Sequence, residues 1–254
     1  MGSARVLAER PSRVQLLVTC LVDHFRPDTA EAVVRLLERE GLVVEVPDGQ
    51  TCCGQPAFNA GGRLDATAMA RHTVAVLSRS EAPIVIPSGS CADMLVHHAP
   101  LLLADDPAWA DRARAVAART FELTEFLVDV LDMAPVAVEG EDRLTYHACC
   151  HGLRGLGVDA QPRQLLAGAG PRLVPLPEAD TCCGFGGLFA VKLPDVSGAM
   201  LARKCRQIAT TGADTVVVTD VSCAMHMQGG LEREGRTTRV RHIAEVLATS
   251  ERDR

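Results

Sequence analysis

Eight of the ten cysteines in this 254-residue sequence fall into a pattern that occurs twice. Cys20 recurs as Cys150, 130 positions later, and Thr51-Cys52-Cys53-Gly54 recurs as Thr181-Cys182-Cys183-Gly184 at the same shift. Ser90-Cys91-Ala92 recurs as Ser222-Cys223-Ala224, shifted by 132. In both copies 31 residues separate the first cysteine from the pair, and 37 or 39 separate the pair from the last cysteine. Thiolate is a soft ligand that selects zinc, Cu(I) or iron–sulfur clusters, and four cysteines suit structural zinc as well as a cluster. Zinc knuckles normally space their cysteines C-x2-4-C, a spacing absent from this pattern. An adjacent pair delivers two diverging thiolates from one turn, which suits a polynuclear core better than a single ion. Gly54 and Gly184 follow the pairs, where a residue without Cβ lets the backbone turn or approach closely. In Gly184-Phe185-Gly186-Gly187, backbone N–H groups are candidates to donate to cluster sulfurs. Cys149 and Cys205 lack counterparts, because positions 19 and 75 hold Thr and Ala, and they read as ordinary buried thiols.

The elements that must place these thiols repeat with the same period. In the first copy the apolar runs 14–19, 42–46 and 84–87 read as strands. Helical patterns follow over 28–40, 62–80, 91–98 and 107–132. In the second copy strands are expected at 143–147, 172–176 and 215–219, with helices over 161–168, 195–210 and 240–248. Alternating strands and helices imply βαβ units. Strands that are apolar throughout imply a sheet covered on both faces. The expectation is an α/β fold of two tandem, pseudo-symmetric three-layer βαβ halves with mainly parallel sheets. Its units are a tail 1–13, a first cysteine-rich domain 14–135, a second 136–249 and a tail 250–254. Each cysteine element follows the carboxyl end of a strand, where open α/β sheets bind ligands. Three distant loops therefore converge on one site per half.

Other residues compete for roles at these sites. Three positions after the last cysteines stand Met94 and His226. Met94 reads as core, while His226 is a candidate metal ligand because imidazole is a common one. His147 and His151 flank Cys149 and Cys150 and are candidates for a redox or proton role. His72, His97 and His98 read as helix-surface residues. With the richer glycine loop and the flanking histidines, the second half is the expected redox site. No G-x-S-x-G, H-E-x-x-H or nucleotide-binding glycine motif occurs. A net charge of −6 and the lack of a basic stripe or aromatic platform argue against nucleic acid. Arg233, Arg236, Arg239 and Arg241 read as a solvated helix face. The N-terminal stretch has no apolar signal region, position 6 breaks a myristoylation pattern, and no run of about 18 apolar residues occurs. The chain is expected to be cytoplasmic, with its thiols reduced.

The doubled C-x31-C-C-G pattern resembles the cysteine-rich CCG domain family, and within it the iron–sulfur subunits of bacterial lactate utilisation. TCCGQPAFNAG (51–61), PSGSCADM (87–94), TCCGFGGLFAVK (181–192), DVSCAMHMQGGLEREG (220–235) and HIAEVL (242–247) carry the likeness, which runs from about residue 14 to 249. The cysteine-rich subunit of heterodisulfide reductase and the iron–sulfur subunit of glycolate oxidase are more distant relatives. In the heterodisulfide reductase pattern the last element is C-x-x-C. Here Met94 and His226 stand in place of that fifth cysteine, so the resemblance carries over four cysteines per half. It implies an iron–sulfur cluster, 4Fe-4S, in each half, held by Cys20, Cys52, Cys53 and Cys91, and by Cys150, Cys182, Cys183 and Cys223. Zinc in one half is the alternative. It further implies an oxidoreductase subunit that transfers electrons within a complex oxidising L-lactate to pyruvate. The implied partners are a ferredoxin-like iron–sulfur subunit and a third lactate-utilisation subunit, with a 2-hydroxy acid as substrate of the complex. Rival readings are a redox subunit serving another 2-hydroxy acid or a disulfide, and a zinc-binding scaffold without catalysis.

Overall fold

The computed structural model describes residue 7 and residues 9–249. The expected C-terminal tail, and residues 1–6 and 8 of the expected N-terminal one, lie outside the described residues. Among the described residues, eight strands form two four-stranded sheets. The first contains β1 (Arg13–Leu16), β2 (Val43–Glu45), β3 (Ile84–Ile86) and β4 (Thr120–Glu122) in the order β2-β1-β3-β4. The second contains β5 (Leu144–His147), β6 (Leu173–Val174), β7 (Thr215–Val218) and β8 (Arg239–His242) in the matching order β6-β5-β7-β8. All six pairings are parallel. Leu16 stands against Val85 in one half and Tyr146 against Val217 in the other. The chain moves outward from β1 to β2 and then returns to the far side of β1 with β3. That reversal makes the crevice beyond β1 and β3 a topological switch point, the place where such sheets hold ligands. The second half repeats it with β5, β6 and β7.

The fourth strand of each sheet corrects the reading from periodicity. Thr120–Glu122 interrupts the helix expected over 107–132, which is instead Ala110–Ala118, the strand, then helical turns over Leu123–Glu125 and Phe126–Val130. Arg239–His242 likewise precedes a short helix, Ile243–Leu247, in place of one helix over 240–248. Three or four residues are too few to show a period of two, and β8 carries two arginines on an edge strand. Arg239 and Arg241 therefore lie on a strand, Arg239 pairing with Asp142 and Arg241 donating to the Glu245 carbonyl.

The two sheets share one core. Val14, Leu16, Phe121 and Phe126 of the first half join Leu144, Tyr146, Val217, Ile243 and Leu247 of the second in one buried cluster. The helix Pro27–Arg39 turns Ala32, Val33, Leu36 and Leu37 inward toward it. Phe121 meets Phe126 edge-on, with ring centroids 5.7 Å apart. Each such side chain contributes about 1.5–3 kcal/mol on burial, so the halves fold as mutually dependent units. Each half also has its own apolar cluster under its cysteines. Cys53 and Met94 lie in the first, and Cys149, Cys183, Cys205 and Cys223 in the second. Met94 is fully buried, as an apolar core residue would be. Among the described residues no helix is long and apolar enough to cross a membrane.

Candidate metal–sulfur site

Local structure explains how the thiols are aimed. The helix Cys20–Phe25 starts at Cys20, directly behind Thr19, whose φ of +71° is strained for a β-branched residue. Such strain collects at functional sites. Cys52-Cys53-Gly54 forms the loop beyond β2, and Gly54 at φ +90° starts the helix Gln55–Asn59. Gly184 repeats that geometry at φ +95°, and an added Cβ would lie 2.7 Å from the Ser197 carbonyl oxygen. Only glycine fits there. Ser88 caps the helix Gly89–Asp93 by accepting the N–H of Cys91, and Asp220 caps Val221–Arg233 by accepting the N–H of Ser222. A cap at each strand end thus fixes the helix that presents Cys91 or Cys223.

All ten cysteines are free thiols. In the first half the Sγ atoms of Cys53 and Cys91 are 3.3 Å apart. Cys20 lies in hydrogen-bond contact with Cys52, and Cys52 with Cys53. Donation from Cys20, and next from Cys53, holds the Cys52 thiol down to about 2. In the second half Cys182 is held down to about 2 in the same way by Cys150 and Cys183, and the Gly184 N–H donates to its sulfur at 3.3 Å. Cys183 and Cys223 are 3.5 Å apart. The quartets expected from the sequence, Cys20, Cys52, Cys53 and Cys91 with Cys150, Cys182, Cys183 and Cys223, are therefore each gathered in space.

Three features depart from the sequence reading. First, the two quartets are not remote: all eight thiols line a single cavity of about 310 Å³ between the halves. Second, Cys149 is not an ordinary core thiol. It contacts Cys150 and Cys223, which hold its thiol down to about 5, so five sulfurs form a closed ring in the second half. Its sulfur also lies 3.6 Å from Oδ2 of Asp220. No counterpart at position 19 signalled it. Third, His226 is outside the cavity lining; it faces Ser197 Oγ at 3.4 Å and the edge of Phe185. Cys205 is buried against Gly230, away from the lining, as expected of a core thiol.

Polar residues beside the thiols hold the cavity together, and Asp220, Asp93, Gln55 and Lys204 among them are ones the sequence did not single out. Asp220 is fully buried between the halves. Its Oδ2 accepts Ser88 Oγ at 2.9 Å and the Ser90 N–H at 3.0 Å, and its Oδ1 accepts the Ser222 N–H at 3.0 Å. Burial raises this carboxyl, but the hydrogen bonds from Ser222, Ser90 and Ser88 outweigh it and leave the group below the usual carboxylate range. Gly89 permits the close approach: a Cβ there would meet Gly152 N at 3.0 Å and the Cys149 sulfur at 3.2 Å. His151 lines the cavity, with Nδ1 2.7 Å from Asp93 and Nε2 3.0 Å from Gln55 Nε2 of the other half. His97 and His98 also face Asp93, so they are partners of a buried carboxylate rather than bare surface residues. Lys204 is buried beside Cys182 and Cys183, its Nζ donating to the Glu178 carbonyl at 2.8 Å. His147 is fully buried, and that burial, followed by the nearby Lys204 charge, holds it neutral, down to about 3. One ring nitrogen of His147 and the sulfurs of Cys183 and Cys223 lie within 4.8 Å of one another. The mouth is apolar, with Leu188 and the 74% exposed Val191 on its rim.

Comparison with known proteins agrees with this architecture. The cysteine-rich CCG domain matches twice, over residues 14–96 and 144–228. Lactate utilization protein A of an Exiguobacterium species is 45% identical over 92% of this chain and 96% of its own length. Its namesake from Halalkalibacterium halodurans is 44% identical over 95% and 99%. A crystal structure of a hypothetical protein from Helicobacter pylori superposes with a TM-score of 0.66 at 10% identity, covering 96% of this chain. This chain spans half of that protein's length, and the likeness concerns fold alone. Two CCG repeats and relatives of this identity over nearly their whole length leave one assignment: the chain belongs to the CCG cysteine-rich domain family, in the lactate utilization protein A branch.

Proposed function

We propose that this chain is the iron–sulfur electron-transfer subunit of a multi-subunit assembly that oxidises L-lactate to pyruvate. The observation that carries this reading is the opening of two thiol quartets onto one cavity, in a chain whose relatives are named for lactate utilisation. The donor set fits the group. Cys53 and Cys91 with sulfurs 3.3 Å apart, and Cys183 and Cys223 with sulfurs 3.5 Å apart, on the lining they share with the other thiols, support a common core. In this reading Cys20, Cys52, Cys53 and Cys91 hold one centre, and Cys150, Cys182, Cys183 and Cys223 the other. Such a centre supplies one-electron steps, and oxidation of a 2-hydroxy acid to its 2-keto acid releases two electrons and two protons. The chain's own residues position and insulate. Lys204 sets a buried positive charge beside the second quartet. The Gly184 N–H donates to sulfur. Asp220 fixes the distance between the halves. The apolar rim at Leu188 and Val191 offers a surface on which a partner, here a ferredoxin-like iron–sulfur subunit, docks to exchange electrons. A third lactate-utilisation subunit completes the assembly, which acts in the cytoplasm.

The test is to purify the chain without oxygen and assay iron, acid-labile sulfide and zinc. Iron with matching sulfide is expected, and zinc without sulfide would overturn the redox reading. Cys53→Ser and Cys183→Ser should each lose the metal of their own half while Cys205→Ser keeps both, and equal losses in all three would break the ligand assignment. Deleting the gene should abolish growth on L-lactate as sole carbon source where no second lactate dehydrogenase is present. Normal growth there would sink the substrate assignment.

A further inference from the structure

The repeat makes each half a control for the other, and the exceptions to the symmetry gather around Cys182, Cys183 and Cys223. At the shift of 130 that relates the first cysteines, His147 corresponds to Leu17; on the helices behind the CCG turns, where Gly54 faces Ala66 and Met69 and Gly184 faces Ser197 and Met200, the shift is 131 and Lys204 corresponds to Thr73. Leu17 packs in the apolar cluster under the first quartet, and Thr73 is a buried neutral hydroxyl. In the second half the same two places carry an imidazole and an ammonium group, both buried. A buried polar group without a partner costs about 1–3 kcal/mol, so its retention calls for a reason. The Ala179 carbonyl accepts a hydrogen bond from the His147 ring. Nδ1 is buried and has no hydrogen-bond partner among the described residues. A ligating histidine is held in this manner: one nitrogen donates to a carbonyl, which fixes ring and tautomer, and the other presents its lone pair.

We infer that His147 is a direct ligand of the metal centre in the second half, giving that centre, with Cys183 and Cys223, a mixed sulfur–nitrogen set that the first half lacks. The inference rests on reading the cavity as a metal–sulfur site. One ring nitrogen of His147 and the two sulfurs lie within 4.8 Å of one another, a triangle that one thiophilic ion or one iron of a cluster can occupy with small side-chain adjustment.

The test uses the full chain isolated without oxygen, with X-ray absorption at the iron and zinc edges. The wild-type spectrum should contain a nitrogen scatterer with imidazole outer-shell features, and the edge that carries it identifies the metal. His147→Leu installs the residue that occupies the matching place in the first half, so the fold should survive, as circular dichroism would show. This variant should lose the imidazole features and release metal to a chelator at least about tenfold faster from one of the two centres. His147→Cys should restore retention without the nitrogen signal. An all-sulfur wild-type shell overturns the inference even if His147→Leu loses metal, because the ring would then act from behind the ligands. A chain with no metal in either half overturns the metal–sulfur reading and this inference with it. A two-centre chain with only sulfur around its metal overturns the inference alone.

Discussion

Asp220 provides the sharpest test of how the two halves are held around the cavity. Its two carboxylate oxygens accept backbone N–H groups on opposite sides, Oδ1 from Ser222 and Oδ2 from Ser90, while Ser88 Oγ adds a third bond across the halves. Asp220→Asn keeps the size of the side chain but has one oxygen only. Whichever way the amide is turned, its NH2 faces one of the two N–H donors. One charge-assisted bond, worth about 1.5–3 kcal/mol, is lost, and a buried N–H is left unpaired at a further 1–3 kcal/mol or so. A loss of about 3–5 kcal/mol is expected at pH 7. At roughly 2–4 °C per kcal/mol for a chain of this size, the melting temperature should fall by about 10 °C.

The acid limb carries a second signature of the same group. The folded carboxyl lies below its unfolded value of about 3.9. Its contribution is therefore complete above that value and is lost as pH falls through the lower folded one. The gap between wild type and Asp220→Asn should narrow below about pH 4. Urea unfolding of both proteins at pH 7 and at pH 3 reads both effects. A loss under 1 kcal/mol at pH 7, or a gap that stays constant into acid, would refute the argument that these hydrogen bonds clamp the halves.

Three further outcomes follow from the same geometry. Gly184→Ala should cost about 3–5 kcal/mol, because it combines a positive φ with a Cβ 2.7 Å from a backbone oxygen, whereas Gly54→Ala, whose nearest neighbour would be at 3.2 Å, should cost about 1–2 kcal/mol; equal melting temperatures would contradict this. Burial pushes the Glu122 carboxyl from 4.5 up to about 8, so its proton is kept in the folded state and wild-type stability should decline by roughly 5 kcal/mol between about pH 4.5 and pH 8. Glu122→Gln should flatten that decline in urea titrations, and an unchanged slope would assign it elsewhere. Lys204→Met removes the buried positive charge beside Cys182 and Cys183, so the midpoint potential of the second-half centre should fall in a redox titration followed by electron paramagnetic resonance; an unmoved potential would mean the charge is screened from the centre.

The cysteine period was the most informative feature of the sequence because it is tied to the strands. Each repeat of a thiol marks the carboxyl end of a strand, so Cys20, Cys52 and Cys91 could be brought to one crevice before any coordinates. Other features have no such periodic signature. The strands Thr120–Glu122 and Arg239–His242 are too short to show alternation, and their neighbours carry helical spacing. Cys149 is matched by Thr19, so the comparison of halves that revealed the eight thiols hid the ninth. Asp220 is matched by Ser88, yet the two are partners across the interface: the hydroxyl of one half donates to the carboxylate of the other. A repeat reports what the halves share, and an interface between them is built partly from where they differ.

That difference bears on why the thiols face one cavity rather than two. Each sheet alone could offer a crevice at its switch point, but the shared core of Val14, Phe126, Leu144 and Ile243 fixes the sheets so that both crevices open inward. Gly89 lets the backbones approach, and Asp220 holds them there. In the proposed role, two centres so placed would exchange electrons within the chain, with a direction set by an inequality between them. The residues that break the symmetry supply one. Leu17 and Thr73 leave the first quartet without a buried charge beside it, which disfavours the added negative charge of reduction, while Lys204 offsets that charge at the second. In the proposed electron-transfer role, a symmetric duplication would give two equal stations, and the buried Lys204 makes the second the readier acceptor.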